Sequence, residues 1–534
     1  MRLWACGAAL GLTLASAQGI PPLAELEAAR ARIGEIRIDT QNIFDLDDPK
    51  ENYALFRLAN RLHIGTDPNV IRRALPFQTG DAFTVRALEE AKRLLLANRY
   101  LYEVDIRPVA YHDGRVDLQV ATRDTWTLDP GISFGRGGGA NTTKLSVKEY
   151  NLLGQGIAIG IAHTSDVDRK GNEFSVLQDR ALGGKTSLNL SLAKYDDGKH
   201  GSFSVANPFY ALETRRAAGV SATRDNRIDN IYLNGSIAEQ YRHDRDNAEA
   251  FAGWSDGLVR GYTQRYSAGI TYQADAYRRD PALLQPAQLP QDIKWTAPFL
   301  RYEVIEDDFQ EFVNRDLIQR PEFFAMGLHV TAQVGRALTG LGSTRDLWLY
   351  SAAVSDGFNP RSKDQLLASA SLAGQYGTNG VERQLLNGSA RYYMPQSPRA
   401  VLFLSVAGDR ATKPEPIDQL VLGGDNGLRG YPLRYQAGDR RVLFTAEERV
   451  YSDWYLWRLF RIGGAAFYDV GRAWGGPWGN TANAGWLGDV GFGLRILTTR
   501  SAFKNVLHAD IAFPLHRDPN IQSVQFLVKV TNTF

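Results

Sequence analysis

The chain has 534 residues, and at roughly 100–200 residues per domain that length would accommodate three or four ordinary domains. Hydrophobic residues make up 44% and charged residues 22% of the sequence, which excludes a disordered chain and a helical membrane protein. The formal net charge of +2 gives no electrostatic basis for binding nucleic acid. The 51 glycines and the aromatic content of 11% are typical of a large antiparallel β structure.

Residues 1–17 have the pattern of a secretory signal peptide. Arg2 precedes an apolar stretch, and Ala15-Ser16-Ala17 resembles a cleavage site. The alternative is a buried N-terminal helix. Cleavage after Ala17 would remove Cys6, the only cysteine, so the mature chain is expected to lack disulfides, thiol catalysis and Cys-ligated metal. No other stretch approaches the roughly 18 consecutive apolar residues of a transmembrane helix.

A small α/β module is predicted next. Residues 18–33 could form a short helix, and residues 34–125 then alternate between strand-like and helix-like patterns. A first strand is centred on Ile36 and Ile38, with Ile43 as a further candidate, and two hairpin strands flank a turn at residues 112–114. Helical spacing relates Leu55, Leu58, Ala59 and Leu62, and also Leu88, Ala91, Leu94 and Leu95 after the N-cap candidate Thr84.

Residues 70–75 (VIRRAL), 80–81 (GD) and 100–104 (YLYEV) resemble segments of a POTRA domain, the polypeptide-transport-associated module. The resemblance implies the order β-α-α-β-β for residues 34–125 and a role in receiving extended chains at a sheet edge. An unpaired edge offers main-chain hydrogen bonds without demanding a particular sequence. The edge candidates are Tyr102, Val104 and Ile106. The alternative is an α/β adaptor without a client.

Residues 126–534 alternate with period two. Leu188, Leu190 and Leu192 alternate with polar residues, and the longest such segment runs from Phe324 to Val334. This pattern fits strands with lipid on one face and a polar lumen on the other, at about 9–11 residues per crossing. The charged residues 224–230 and 241–249 are predicted as surface loops. A soluble β-sandwich or propeller would also alternate.

The C-terminus favours the membrane barrel. It ends in an alternating segment with an aromatic last residue, although Asn532 interrupts the apolar register. The predicted terminal strand carries Phe526, Val528, Val530 and Phe534. Together with the signal peptide and the absence of mature cysteine, it predicts a mainly β fold in which residues 126–534 form a transmembrane antiparallel barrel.

The last third of the chain resembles the bacterial surface antigen superfamily, which includes the central subunit of the barrel-assembly machinery and the two-partner-secretion transporters. Residues 423–431 (GGDNGLRGY) are similar to its Arg-Gly-Tyr/Phe loop, and residues 467–471 (FYDVG) to its Phe-x-Asp-x-Gly strand. Residues 491–495 (GFGLR) and 510–515 (DIAFPL) resemble the two following strands. Nearer the POTRA-like module, residues 123–126 and 150–156 also resemble family segments.

The resemblance implies a barrel of about sixteen strands and a loop folded back into its lumen. It pairs Arg429 with Asp469, where a guanidinium can donate two parallel hydrogen bonds to a carboxylate. Gly430 is expected to allow a sharp turn and Tyr431 to wedge against the wall. Phe467, Gly471, Gly491 and Gly493 belong to the strand motifs. The alternative is a solvent-exposed glycine-rich turn in which Arg429 has no partner.

Signals of enzymatic chemistry are weak. Residues 253–257 (GWSDG) match the nucleophile elbow of hydrolases, but no helix is predicted after Ser255 and the surroundings look loop-like. The glycines of residues 135–139 lack the Lys-Ser/Thr of a phosphate loop. The eight histidines have no metal-ligand spacing, and Asp45, Asp47 and Asp48 do not follow an EF-hand pattern. The sequence predicts no enzyme and no cofactor.

The expected function is the assembly or translocation of client polypeptides at the outer membrane of a Gram-negative cell, with the POTRA-like module in the periplasm. Expected partners are outer-membrane lipid, unfolded clients and periplasmic accessory proteins, and no nucleic acid. One alternative is a two-partner-secretion-type exporter, although such proteins usually carry two POTRA domains and a plug helix. Others are a passive channel or structural surface antigen, a transporter of lipid, and a hydrolase using Ser255.

Overall fold

The computed structural model describes residues 20–181, 184–476, 478, 485–502, 505–519 and 521–531. The chain forms an N-terminal α/β unit followed by a barrel of antiparallel strands. The predicted signal peptide, with Cys6, lies outside the described residues, as do Asn532 and Phe534.

The α/β unit is a three-stranded sheet covered by helices. Its strands β1 (Arg32–Gln41), β2 (Leu101–His112) and β3 (Arg115–Asp124) lie in the order β1-β3-β2, with β1 parallel and β2 antiparallel to the central β3. Thr84 caps the last helix by accepting from Ala87 N, and Asp67 caps the third by accepting from Asn69 N. The elements are α1 (Leu23–Ala28), β1 (Arg32–Gln41), α2 (Ala54–Leu62), α3 (Pro68–Ala74), α4 (Val85–Leu96), β2 (Leu101–His112) and β3 (Arg115–Asp124).

Three helices, not the expected two, lie between the first two strands of this unit. The unexpected helix is α3, which begins at Pro68, a residue favoured in the first turn of a helix. The apolar core lies between the sheet and helices α3 and α4, around Ile71, Leu95 and Leu118.

Within the ranges that the structure describes, the barrel has twenty strands, each antiparallel to its neighbours. Side chains alternate between the two faces: Leu300 is 63% exposed on the outer wall, whereas the neighbouring Arg301 bonds Gln333 and Glu249 inside. The strands are β4 (Leu128–Gly137), β5 (Ala140–Glu149), β6 (Ile157–Ser165), β7 (Lys170–Ala181), β8 (Thr186–Tyr195), β9 (Lys199–Asn207), β10 (Arg216–Leu233), β11 (Ser236–Val259), β12 (Tyr262–Arg278), β13 (Ile293–Glu306), β16 (His329–Ala337), β17 (Leu347–Phe358), β18 (Gln365–Gly377), β19 (Gly380–Ser397), β20 (Ala400–Thr412), β23 (Arg440–Leu456), β24 (Phe460–Trp474), β25 (Leu487–Thr498), β26 (Val506–Pro514) and β27 (Gln525–Thr531).

In the described part of residues 126–534, two strand pairs lie outside the barrel sheet. The first is β14 (Phe309–Val313) with β15 (Pro321–Ala325), and the second is β21 (Leu420–Leu422) with β22 (Gln436–Gly438). Single 3₁₀ turns occur at Leu152–Gly154, Thr339–Leu341 and Pro416–Asp418.

The described residues form twenty strands in this sheet, not the about sixteen that the family resemblance implied. Short connections contribute to the larger number. Asn234 and Gly235, both with positive φ, join β10 to β11 directly, and Arg260 and Gly261 join β11 to β12 in the same way. Residues 224–230 and 241–249, predicted as loops, are paired parts of β10 and β11. Their charges are matched across the strands, as in the bidentate pair of Arg224 with Asp246.

The long alternating segment from Phe324 to Val334 is also not one strand. Phe324 belongs to β15, whereas Val330 and Val334 belong to β16. Between them Met326 N and Gly327 N both donate to Asp308 O, and this turn takes the chain out of the barrel wall. Apolar and polar residues alternate on both sides of this turn because β15 and β16 are both strands with one buried face.

The first and last barrel strands meet at a seam. There β4 and β27 are antiparallel, and Arg136 lies opposite Val528. The seam brings the two ends of the sheet together.

No helix within the described ranges is long and apolar enough to cross a lipid bilayer.

Candidate functional site

The lumen loop, residues 413–439, connects β20 to β23 and folds into the barrel. The short hairpin β21–β22 stiffens its base, and Leu428 N donates to Gly423 O (3.0 Å) to close a compact turn. Gly427 has φ +126°, and a Cβ there would lie 2.1 Å from Leu443 Cδ2 on the wall. The loop therefore depends on glycine at a point where it touches the sheet.

Arg429, at the tip of the lumen loop, bonds Asp469 on β24. Its Nε donates to Asp469 Oδ2 (2.7 Å) and its Nη2 to Oδ1 (3.1 Å), which is the bidentate arrangement. Thr445 Oγ1 also donates to Asp469 (2.7 Å), and the guanidinium carbon lies 3.3 Å from the centre of the Phe467 ring. The two residues paired by the family resemblance thus meet, across 40 positions of sequence.

The pair belongs to a larger charge cluster. Arg429 Nη1 also donates to Glu447 (2.9 Å) and Asp510 (3.3 Å), and Arg495 bridges the same two carboxylates. All four partner side chains are at most 5% exposed. Sequence reasoning missed Glu447. Asp510 and Arg495 lay within the quoted motifs, but no role was given to them.

Gly430 and Tyr431 fix the backbone of the lumen loop against β25 and β26. A Cβ at Gly430 would lie 2.7 Å from Asp489 Cβ and 3.0 Å from Pro514 N. Gly430 is not among the residues with positive φ, so close approach rather than the expected sharp turn requires glycine. Tyr431 is fully buried, and its hydroxyl donates to Gly488 O (2.9 Å).

The strand-motif glycines make room for this arrangement. At Gly491 a Cβ would lie 2.3 Å from Phe467 Cζ, and at Gly493 it would lie 2.0 Å from Asp510 Oδ1. A Cβ at Gly471 would likewise lie 2.8 Å from Val442 O. A wall without side chains at these positions lets Phe467 lie flat beneath the guanidinium of Arg429.

A second ion pair holds the lumen loop at the end of the barrel opposite the α/β unit, here the distal end. Arg434 donates two hydrogen bonds to Asp168 (2.7 and 2.6 Å), which lies in the turn between β6 and β7. Burial opposes ionisation of Asp168, but the bonds from Arg434 and Tyr232 outweigh it and hold the pKa of the carboxyl below its usual range. No sequence motif indicated this pair.

The mouth hairpin, residues 307–328 with β14 and β15, enters the barrel at the proximal end, where the α/β unit sits. Ile318, 1% exposed, packs with Phe324, Tyr393 and Val401 in one apolar cluster. The carbonyl of Arg315 accepts from Arg449 (2.6 Å) and Tyr451 (3.0 Å) on β23. This hairpin was not foreseen from the sequence.

The mouth hairpin also contacts the α/β unit. Lys92 on α4 donates to Glu311 (2.9 Å), and the Arg93 guanidinium lies 3.5 Å from the Phe309 ring centre. The predicted edge strand β2 is an edge of its sheet. Its Val104 and Ile106 side chains pack into the core, and its Tyr102 lies beneath the guanidinium groups of Arg320 and Arg500.

The remaining candidate residues are placed as follows. Phe526 is 55% exposed on the outer wall, Val528 forms the seam pair, and Val530 lies in β27. Ser255 lies within β11 and accepts from Gly257 N (3.1 Å), so the loop-like surroundings predicted for it were wrong. Among the described residues no group of His, Cys, Asp and Glu could hold a metal ion.

Comparison with known proteins gives no family model and no curated protein that matches the chain. Solved structures are similar in fold: BamA from Haemophilus ducreyi lacking POTRA domains 1–3 has 13% identity and a TM-score of 0.39, covering 93% of this chain and 84% of that one. CdiB from Acinetobacter baumannii has 12% identity and a TM-score of 0.44, and the match covers 94% of this chain and 74% of that one. CdiB from Escherichia coli has 12% identity and a TM-score of 0.47, and the match covers 94% of this chain and 76% of that one.

Proposed function

We propose that this protein is an outer-membrane barrel that assembles or translocates client polypeptides. The observation that carries the proposal is that the first and last barrel strands, β4 and β27, meet at a seam, where Arg136 lies opposite Val528. A sheet that opens there presents two strand edges, and each can pair with an extended client through main-chain hydrogen bonds.

The outer wall supports the membrane location. Large apolar side chains stay exposed on many barrel strands, among them Ile161 (60%), Leu300 (63%) and Phe492 (56%). A soluble protein would seldom leave so much apolar area in water, whereas a barrel in lipid requires it. In the proposed orientation the proximal end, with the α/β unit acting as a POTRA domain, faces the periplasm.

Both ends of the lumen are occupied, which favours client handling over a passive channel. The lumen loop fills the distal half and the mouth hairpin the proximal entrance. Helix α1 packs its Leu26 into the core of the α/β unit and so does not plug the barrel, unlike the plug helix usual in the exporter alternative.

Crosslinking the seam tests the proposal. Cysteines replacing Arg136 and Val528, in a Cys6→Ser background, should form a disulfide that blocks client assembly, and reduction should restore it. The matched control joins Ala509 to Val528, which are partners in the β26–β27 ladder, and should leave activity unchanged. Equal activity with the seam locked or free would refute opening at this place.

Proteomics of the outer membrane after depletion separates the forms of the proposal. Loss of several barrels indicates assembly, whereas loss of one secreted protein indicates the two-partner-secretion-type exporter. An unchanged proteome supports the channel or surface antigen.

A further inference from the structure

Helix α2 of the α/β unit carries an apolar stripe that faces outward. Leu55 is 64% exposed, Leu58 50% and Leu62 63%, and their spacing places them on one side of the helix. Tyr53 (57%) and Ile64 (56%) extend the stripe beyond the two helix ends. Five large apolar side chains in twelve residues form a contiguous patch of the kind that marks a binding surface.

The other side of α2, away from the stripe, packs against the rest of the α/β unit. Phe56 stacks on Phe44 with ring centres 4.0 Å apart. The Asn60 side chain donates to Phe44 O (2.8 Å) and accepts from Phe44 N (3.1 Å). The helix therefore has its own packing face, and the outward stripe is not needed to hold it in place.

The stripe lies next to a part of the barrel rim that exposes two tryptophans. Leu459, in the turn between β23 and β24, packs on the cluster of Phe44 and Phe56, and Arg458 of that turn lies 3.8 Å from Asp48. The same rim exposes Trp457 (76%) and Trp454 (66%). Tryptophans at the end of a barrel wall mark the level of the lipid headgroups.

We propose that α2 lies in the membrane interface, with its stripe in the acyl boundary of the periplasmic leaflet. This inference rests on the proposed outer-membrane location. The occupant is phospholipid, because the turn that packs against α2 adjoins the exposed Trp454 and Trp457 of the wall. At 100° per residue Arg57 and Arg61 fall on the side of α2 away from Leu55, and both are exposed. Their guanidinium groups can reach lipid phosphates, as in helices that lie in an interface.

Quenching by lipid tests the contact in the full-length protein. In a Cys6→Ser background, a fluorophore is attached at Leu58→Cys or Leu62→Cys, and the protein is folded into vesicles of phosphatidylglycerol and acyl-brominated phosphatidylcholine. Quenching should be at least threefold stronger at these sites than at Arg57→Cys, the control on the other side of the helix. Equal, weak quenching at all three sites would overturn the inference.

A label at Leu300→Cys, on the outer wall of the barrel, distinguishes the two ways to fail. If that label is unquenched, the barrel is not in the bilayer and the proposed location is wrong. If it is quenched while the Leu58 and Leu62 labels are not, only the role of α2 is wrong.

Proteolysis separates lipid from a protein occupant. Trypsin cleavage after Arg57 and Arg61 should be at least threefold slower in vesicles than in detergent, and the triple variant Leu55→Glu/Leu58→Glu/Leu62→Glu should abolish that difference. Since the three side chains are exposed, this variant should fold normally. Protection that persists in detergent would assign the stripe to a protein and overturn the inference.

Discussion

Two segments enter the lumen from opposite ends, and different kinds of interaction hold them there. The lumen loop is anchored by buried charges, with Arg429 bonded to three carboxylates. The mouth hairpin is anchored mainly by apolar packing around Ile318 and by its own carbonyl groups, and its ion pair at Asp316 is less buried. Charges taken out of water need defined partners, so the loop has one position, whereas an apolar cluster holds the hairpin with less geometric demand.

The two anchors meet on one strand. Glu447 on β23 accepts from Arg429, and it also accepts from Arg449 two residues along the same face (3.0 Å). Arg449 in turn lies 3.2 Å from Asp316 of the mouth hairpin. The chain of ion pairs from the loop to the hairpin means that a disturbance of one segment changes the charge partners of the other.

The largest effect is expected from Arg429→Ala. Its loss leaves Asp469 and Glu447 buried with fewer cations, which should lower the free energy of unfolding by about 3–5 kcal/mol. Urea unfolding in detergent and heat-modifiable gel migration measure this, and client assembly should fall while export across the inner membrane is unchanged. The control Arg399→Ala removes an exposed pair with Asp453 and should behave as wild type. Normal stability and assembly in Arg429→Ala would refute a structural role for the loop contact.

The apolar anchor is tested by Ile318→Ala. Deleting this buried side chain should cost about 2–5 kcal/mol. Conductance in planar bilayers should rise, because the mouth hairpin is loosened from the proximal entrance. Leu341→Ala, at a side chain 47% exposed in a distal turn, is the control. A destabilised variant with unchanged conductance would show that the hairpin is not the barrier.

Gly430→Ala should have an intermediate effect. The added methyl group meets Asp489 and the backbone of Pro514, and overpacking of this kind costs about 1–3 kcal/mol. The same urea titration measures the loss. Gly340→Ala, where no atom lies within 4 Å of the new Cβ, is the control. Equal midpoints would mean that the loop shifts freely and is not held by the wall.

The smallest effect is expected at the distal tether, from Arg434→Gln. This ion pair is only partly buried, so its loss should cost at most about 1 kcal/mol. Because the pKa of Asp168 is lowered in the folded protein, the contribution is present at neutral pH and is lost as the pH falls below about 3.8. Unfolding midpoints of wild type and variant should therefore differ at pH 7 and converge in acid, and a constant difference would contradict this account.

The sequence predicted individual elements better than their assembly. Alternation predicted strand β8 and the hairpin β2–β3, Thr84 marked the start of α4, and the motifs paired Arg429 with Asp469. The sequence-based predictions failed where one pattern is compatible with two structures. The charges of residues 224–230 suggested a loop, yet in the barrel they face matching charges on the next strand.

Other parts of the site depend on contacts between distant residues. In the sequence Glu447 resembles any other glutamate in a strand, and only the fold brings it into contact with Arg429, 18 positions away. Asp168 and Arg434 are 266 positions apart, and nothing near either residue indicates the other. Likewise, Leu55, Leu58 and Leu62 define a helix by their spacing, but the spacing does not say that they face outward.

By itself the sequence determined what local chemistry decides: which residues alternate, where Thr84 begins a helix, and which short motifs sit on strands. Only the tertiary structure decided that the described residues form a sheet of twenty strands, that residues 307–328 leave it, and that Arg136 and Val528 meet where its two ends come together. The physical reason is the range of the interactions. Backbone preference acts within a few residues, whereas strand number, seam and buried charge partners depend on how the whole sheet curves round on itself.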